Sequence, residues 1–307
     1  MSRTESGARV KLYVLSRSAK VPSTKRLLLA ARARGHKARV LNPSRIELEL
    51  LKKKTRLAYE QKTIHAPDVL IPRIASSIAA WGLSLIEQFS LEGSQVMNSA
   101  KAIGISQNAL RCLQLLSSKG IDIPATLVAR ATANLDEMVE KVGGMPVLVK
   151  LLKTHEHGAV MVCETMQSLE SSLEAVLGLK QSILLQEYVH TRSGDLRVFC
   201  VGGRALAAAR RHARKGKLSL GLQKGARLER CELYPELRDA AERAASVCEL
   251  EVCAVDLLET KGRHKVFEVN AAPALPAMEQ VCEVDLAAAI IARAEQLSKL
   301  PLRAAND

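Results

Sequence analysis

In the first hundred residues, short apolar runs alternate with segments whose apolar positions recur every three or four residues. Residues 10–15 (Val-Lys-Leu-Tyr-Val-Leu) alternate in the manner of a strand with one face in a core. Ser23-Thr24-Lys25-Arg26 open a predicted helix that runs through 27–34 and stops at Gly35, a residue suited to the left-handed turn after a helix. Residues 38–41, 69–71 and 96–97 read as further strands, with a helix around 84–91. Lys52-Lys53-Lys54 lies between polar and apolar segments and reads as loop or strand. Strand–helix–strand alternation predicts a small parallel α/β unit over residues 1–98. It has no GxGxxG turn, so the pattern gives no reason to infer a dinucleotide site there.

After Asn98 the pattern changes. A helix is predicted over 107–119, closed by Gly120, followed by strand 126–129, helix 135–142 and strand 146–151. Strand 159–163, helix 169–177 and strand 183–189 complete a middle unit. Gly202-Gly203 turns a hairpin between 197–201 and 205–209, and a long helix over 235–248 leads to a second hairpin. That hairpin joins 254–258 to 266–270 around Gly262, and a helix over 286–297 closes the chain. Mixed strands and helices of this kind predict α+β units beyond the N-terminal α/β part.

The second hairpin carries the clearest chemistry. With the turn symmetric about Gly262, position 256 faces position 268. Asp256, Glu268 and Asn270 then share one face, and Val255, Leu257, Phe267 and Val269 take the other. Two adjacent carboxylates repel unless a cation lies between them. An all-oxygen set suits Mg²⁺, with Mn²⁺ as a substitute.

Composition narrows the classes. The chain has 307 residues, 48% hydrophobic and 25% charged, which are globular values. Aromatic residues make up only 3%, which argues against recognition of bases by stacking on exposed rings. No apolar run is long enough to span a bilayer, and the N-terminus lacks the apolar core of a signal peptide. Seven cysteines, scattered and without a CxxC pair, predict reduced thiols, no zinc site and a cytoplasmic setting. The net charge is +13, and residues 1–62 hold 17 Lys/Arg against 4 Asp/Glu while the remainder balances at 28 of each. That basic stretch suits an anionic partner, nucleic acid or an acidic peptide, although a solvated helix face explains it as well.

Other candidate residues lie at strand ends. Lys150 ends an apolar strand, where an ammonium can reach phosphate oxygens. Gln186-Glu187-Tyr188-Val189 ends another, with backbone groups able to read a base edge and apolar walls around it. Asp195 and Arg197 share a strand face, suited to ribose hydroxyls, a substrate carboxylate or an ion pair. Arg210 and Arg211 follow small residues and could neutralise a transferring phosphoryl group. His155-Glu156-His157 lacks the helical spacing of a metal site.

In this order the motifs resemble the ATP-grasp superfamily, most closely its RimK-like amino-acid ligases. Leu15-Ser16-Arg17, Ile71-Pro72-Arg73-Ile74, Met97-Asn98, Gly120-Ile121-Asp122-Ile123-Pro124 and Phe267-Glu268-Val269-Asn270 extend the likeness over nearly the whole chain. The resemblance implies a pre-ATP-grasp domain at 1–98, a central subdomain at 99–189 and a C-terminal subdomain with a metal site at 190–307. It implies phosphorylation of a carboxylate by ATP, then attack by an amine to form an amide. Lys150 would contact phosphates, Glu187 and Tyr188 would flank adenine, and Asp195 would reach the sugar side. Asp256, Glu268 and Asn270 would hold Mg²⁺, and Arg211, or Arg210 if the alignment has an insertion, would lie near the transferring phosphate. The partners implied are glutamate or another amino acid and a carboxylate acceptor, such as a small-subunit ribosomal protein or an acidic peptide; a homo-oligomer is compatible. The chain departs from the family pattern at Asn108-Ala109, where a lysine is lost, and in the loop Lys153-Thr154-His155-Glu156-His157-Gly158-Ala159, which keeps one glycine. Ser219-Leu220-Gly221 and Asn270-Ala271-Ala272-Pro273-Ala274 also depart from it. A non-catalytic nucleotide- or partner-binding regulator is the alternative these departures leave open.

Overall fold

The computed structural model describes residues 9–52, 54–129, 134–151, 160–177, 182–191, 194–212, 227–260 and 262–302. The loop at 153–159 and the triplet Ser219-Leu220-Gly221, both singled out above, lie outside them. The fold is mixed α/β and forms two compact units. One comprises residues 1–104, 250–252 and 271–307, and the other residues 105–249 and 253–270. Among the described residues, no helix is long and apolar enough to cross a membrane.

The first unit is built on the predicted parallel sheet. The strands run in the order Lys37–Leu41, Lys11–Leu15, Val69–Pro72, Gln95–Val96. Helix Pro22–Ala33 buries Leu27, Leu28, Ala30 and Ala31, the stripe expected from its spacing. The chain's C-terminal helices, Pro276–Cys282 and Leu286–Leu297, belong to this unit, and the first of them was not expected from the pattern. Both meet helix Pro22–Ala33 or the residue that caps it through ions: Arg26 Nε donates to Glu279 at 2.7 Å, and Arg34 Nε, at the C-cap, to Glu295 at 2.6 Å. Also unpredicted is an antiparallel sheet of Ile46–Leu51, Lys54–Tyr59 and Lys62–Thr63. Its first strand alternates well, but Leu50 stays 71% exposed, so burial only partly rewards the pattern.

Glu295 gives this unit a pH dependence. Hydrogen bonds from Arg34, with His36 adding to them, hold its carboxyl down at about 2. A depressed carboxyl contributes stability above its unfolded value and loses it as pH falls through the folded one. Glu295→Gln is therefore expected to cost ~1–2 kcal/mol at pH 7 after allowance for solvent screening. The deficit should shrink as pH falls from about 4.5 towards 2, measured by urea unfolding across that range.

The second unit holds two sheets. One has the order Val160–Cys163, Val147–Leu151, Ile183–Glu187, Thr126–Ala129, all antiparallel. Val147, Val149, Ile183 and Leu185 pack into a core with Leu169 and Leu173 of the helix Met166–Leu177. Alternation therefore sends Leu148, Lys150, Leu184 and Gln186 to the opposite face. The other sheet has the order Arg227–Cys231, Arg204–His212, Asp195–Val201, Val252–Thr260, Arg263–Asn270; its first strand was not predicted.

The helix expected over 107–119 is present as Ala109–Ser118, and a separate helix, Ala100–Ser106, not expected from the pattern, precedes it. Asn108 makes the break: its side-chain oxygen accepts from the Arg111 N–H at 3.1 Å, and Ala109 is the first helical residue.

Candidate active site

The residues singled out on the second sheet form a row across four neighbouring strands. Asp195 lies opposite Arg211 in the ladder, and Asp256 lies opposite Glu268. The Arg197 guanidinium grips Asp256 with both ends, Nε to Oδ1 at 2.8 Å and Nη2 to Oδ2 at 2.7 Å. Arg211 Nε donates to Asp195 Oδ2 at 2.6 Å, and its Nη2 lies 2.9 Å from Asp256 Oδ2. Asp256 is fully buried and Asp195 is 1% exposed. Burial without these arginines would be prohibitive for two carboxylates. Burial, countered by Arg211 and abetted by Asp256, raises the Asp195 carboxyl.

Glu268 differs from its neighbours. It is half-buried, and among the described residues no donor hydrogen-bonds its carboxylate. Burial, with repulsion from Asp256, pushes it up to about 7 against the pull of Arg197, Arg211 and Lys150. Lys150 is lowered by burial, with Glu268 opposing, and its Nζ lies 5.9 Å from the Phe267 ring centre. Both groups are half-buried. Asn270 lies two residues on, opposite Ala254, and shares the face of Glu268.

The hairpin departs from its predicted form in one respect. Pairing near the turn is Thr260 with Arg263, so the turn is centred before Gly262, and a one-residue bulge between Asp256 and Leu257 restores Asp256 opposite Glu268. Phe267 is the residue displaced by the bulge. The expectation that it lies away from the site is corrected: it packs with Leu258 and Val189 beneath Lys150.

Other predicted residues are placed as follows. Gln186 is buried and donates through Nε2 to Thr126 Oγ1 at 2.8 Å. The Glu187 N–H donates to the Ala125 carbonyl at 2.8 Å, and the strand ladder ends at this residue. Its carboxylate accepts from Lys265 Nζ at 2.8 and 2.6 Å and from the Ala125 N–H at 2.9 Å. Tyr188 stacks edge-on with His190, ring centres 4.8 Å apart. Arg210 alternates to the other sheet face from Arg211 and pairs with Glu259 at 2.9 Å. Glu259 also accepts from the Tyr234 hydroxyl at 2.8 Å, so Arg210 and Arg211 are not brought together. Lys265 went unnoticed in the sequence, because its partner lies on a different sheet.

Comparison with known proteins bears on the whole chain. The sequence profile of the RimK PreATP-grasp domain matches residues 10–103, and that of the RimK-like ATP-grasp domain matches residues 106–294. The chain belongs to the RimK-like ATP-grasp family. It is 39% identical over 288 residues to a "Probable alpha-L-glutamate ligase" of Thioalkalivibrio sulfidiphilus, covering 94% of this chain and 96% of the relative. A protein of the same name from Hydrogenovibrio crunogenus is 36% identical over 291 residues, covering 94% and 97%. Among solved structures, the ATP-grasp ligase PsnB complexed with a phosphomimetic variant of its minimal precursor, Mg and ADP superposes with a TM-score of 0.73 at 20% identity. That match covers 94% of this chain and 99% of PsnB. The D-alanine–D-alanine ligase from Bacillus anthracis complexed with ATP gives 0.64 at 15%, covering 94% and 97%. These two likenesses show the fold. As a RimK-like ATP-grasp protein, the chain is an ATP-dependent ligase that forms C–N bonds, and ATP-grasp ligases use Mg²⁺.

The donor chemistry fits that ion. Asp256, Glu268 and Asn270 offer oxygen only, and Glu268 is the carboxylate short of countercharge. Without metal, the folded chain holds a proton on Glu268 up to about pH 7. Its raised value favours the folded state below the ordinary carboxyl range, a contribution lost as pH rises through 7. A bound cation reverses this, because ligation requires the ionised form. Mg²⁺-dependent nucleotide affinity is accordingly expected to fall about tenfold per pH unit below neutrality. Calorimetric titration at several pH values measures it, and a flat affinity would remove Glu268 from the ligand set.

Proposed function

We propose that this RimK-like ligase joins an amino acid, glutamate foremost, to a carboxylate of a protein or peptide acceptor through an acyl phosphate. The observation that carries the reading is the charged row from Arg211 through Asp195, Arg197 and Asp256 to Glu268, with Asn270 on the same sheet face. The names of the relatives support glutamate, and the minimal precursor in the PsnB complex supports a peptide acceptor. A ribosomal protein is one acceptor of this class, and contact of nucleic acid with residues 1–62 is a separate reading of the same basic charge.

In this mechanism an oxygen of the acceptor carboxylate attacks the γ-phosphorus, ADP leaves, and the amine nitrogen then attacks the acyl carbon and expels phosphate. Asp256, Glu268 and Asn270 would hold Mg²⁺, which supplies charge neutralisation at the phosphate oxygens. Lys150 reaches a phosphate oxygen, and Arg211 steadies charge on the transferring group, held in place by Asp195. Arg197 fixes the Asp256 carboxylate in one orientation. Val189, Leu258 and Phe267 offer an apolar wall for a base, with the end of the Gln186–Glu187 strand and Tyr188 beside it. Arg210, tied to Glu259, is assigned no step.

The test is incubation with ATP, Mg²⁺, L-glutamate and acidic peptides, reading ADP release and product mass. A product heavier by one glutamyl residue supports the reading, whereas nucleotide binding with neither ADP nor product would favour the regulator. Replacing Mg²⁺ by Mn²⁺ in the same assay answers the question of substitution.

A further inference from the structure

Two segments of the resemblance, Leu15-Ser16-Arg17 and Ile71-Pro72-Arg73-Ile74, take no part in the site above. In the first unit they form the carboxyl ends of adjacent parallel strands. Leu15 pairs with Pro72, and the Arg73 N–H donates to the Leu15 carbonyl at 2.9 Å. Ligands of open parallel sheets collect at that edge.

The Arg73 side chain is partly buried and donates through Nη2 to the Pro273 carbonyl at 2.7 Å. Among the described residues no carboxylate pairs with it, and burial alone pulls it down to about 10. Three other arginines of this unit are answered by carboxylates: Arg26 meets Glu279, Arg34 meets Glu295 and Arg293 meets Glu251. A guanidinium presents a planar fork of donors, so one backbone acceptor leaves most of its capacity unused. The acceptor segment is itself held in place, because the Leu275 N–H, two residues beyond Pro273, donates to Ser23 Oγ at 3.1 Å. Ser23 lies in the first turn of helix Pro22–Ala33, which has no acidic residue to answer the charge. Arg17, two residues past the Leu15 end of the adjoining strand, is exposed and lies at the same edge.

We propose that Arg73, aided by Arg17, forms a carboxylate-binding site at the strand ends of the first unit, taking a carboxylate of the acidic substrate. This rests on the reading that glutamate or an acidic peptide is ligated. A carboxylate supplies the two in-plane acceptors a guanidinium fork lacks here. The free amino acid and the peptide end are two sources of that one chemistry.

Equilibrium binding to the full chain separates them. L-glutamate is compared with L-glutamine, and a glutamate-ended peptide with its C-terminal amide. The wild type is expected to bind the acid form of one pair at least tenfold more tightly, and the pair that shows the difference identifies the source. Arg73→Gln is expected to abolish that preference with the melting temperature kept, and Arg17→Gln to reduce it several-fold. Should Arg73→Gln fail to fold, Arg73→Lys carries the test and is expected to keep a weakened preference. A wild type that does not discriminate in either pair overturns the site, as does an Arg73 variant that discriminates fully. A purely structural Arg73 would lower the melting temperature and leave the preference intact. Absence of amide product from the wild type would overturn the ligase reading alone, since the binding preference is measured without turnover.

Discussion

Asp256→Asn is expected to lower amide formation by at least about a thousandfold and to destabilise the chain by about 3 kcal/mol. The two losses share one cause. The Asp256 carboxylate is fully buried and accepts from Arg197 twice and lies against Arg211. An amide of the same shape keeps one acceptor oxygen but turns a donor towards a guanidinium, leaving two buried cations to share Asp195 and the more distant Glu268. Breaking one partner of such a pair costs more than the pair contributes, because the remaining charge stays desolvated. The proposed metal set would lose its central anion at the same time. Product formation and urea unfolding, measured on one preparation, test both effects. Near-wild-type product from a stably folded Asp256→Asn chain would remove Asp256 from the machinery.

The second large effect is expected at Lys150. Lys150→Met should weaken ATP binding by about ten- to a hundredfold, the range for one charge-assisted contact. Its buried ammonium is desolvated and lies near the Phe267 ring, with no carboxylate hydrogen-bonded to it among the described residues. Such a cation is available to a phosphate. Lys150 also helps hold the Glu268 carboxyl down, so its loss should move that group above its value of about 7. The pH at which Mg²⁺ begins to bind should therefore move upward in Lys150→Met and return in Lys150→Arg. Isothermal titration with nucleotide, with and without Mg²⁺, distinguishes this from a simple folding defect. An unchanged ATP affinity would count against the phosphate role.

Much of the fold is legible in the sequence where neighbours in the chain are neighbours in space. The parallel strands of the first unit, the hairpin at 202–203 and the hairpin carrying Asp256 and Glu268 follow from alternation and turn residues. The facing of Asp256 and Glu268 is also legible, though for a reason the pattern does not contain. The turn is off-centre by half a step, and the bulge compensates. Phe267 shows the cost of that hidden compensation, since its predicted side is wrong while those of Glu268 and Asn270 are right.

Contacts between elements far apart in the chain were beyond reach of periodicity. Asp195 and Arg211 were both singled out, but their pairing depends on how far the hairpin extends. Lys265 with Glu187 joins two different sheets, and nothing in either local pattern links them. The same holds for Arg73, an ordinary strand-end arginine in sequence, which among the described residues meets no carboxylate, a fact that emerges only when its surroundings are known.

The bulge also constrains how this hairpin can change length. A residue added to or removed from the turn at 260–263 shifts every partner beyond it by one place and would set Asp256 against an apolar neighbour. A matching change at the bulge cancels the shift before it reaches the carboxylates. Loop remodelling is thus open to this ligase only as coupled insertions and deletions, one at the tip and one beside Asp256. Either change alone would leave a well-formed ribbon whose acidic residues no longer meet.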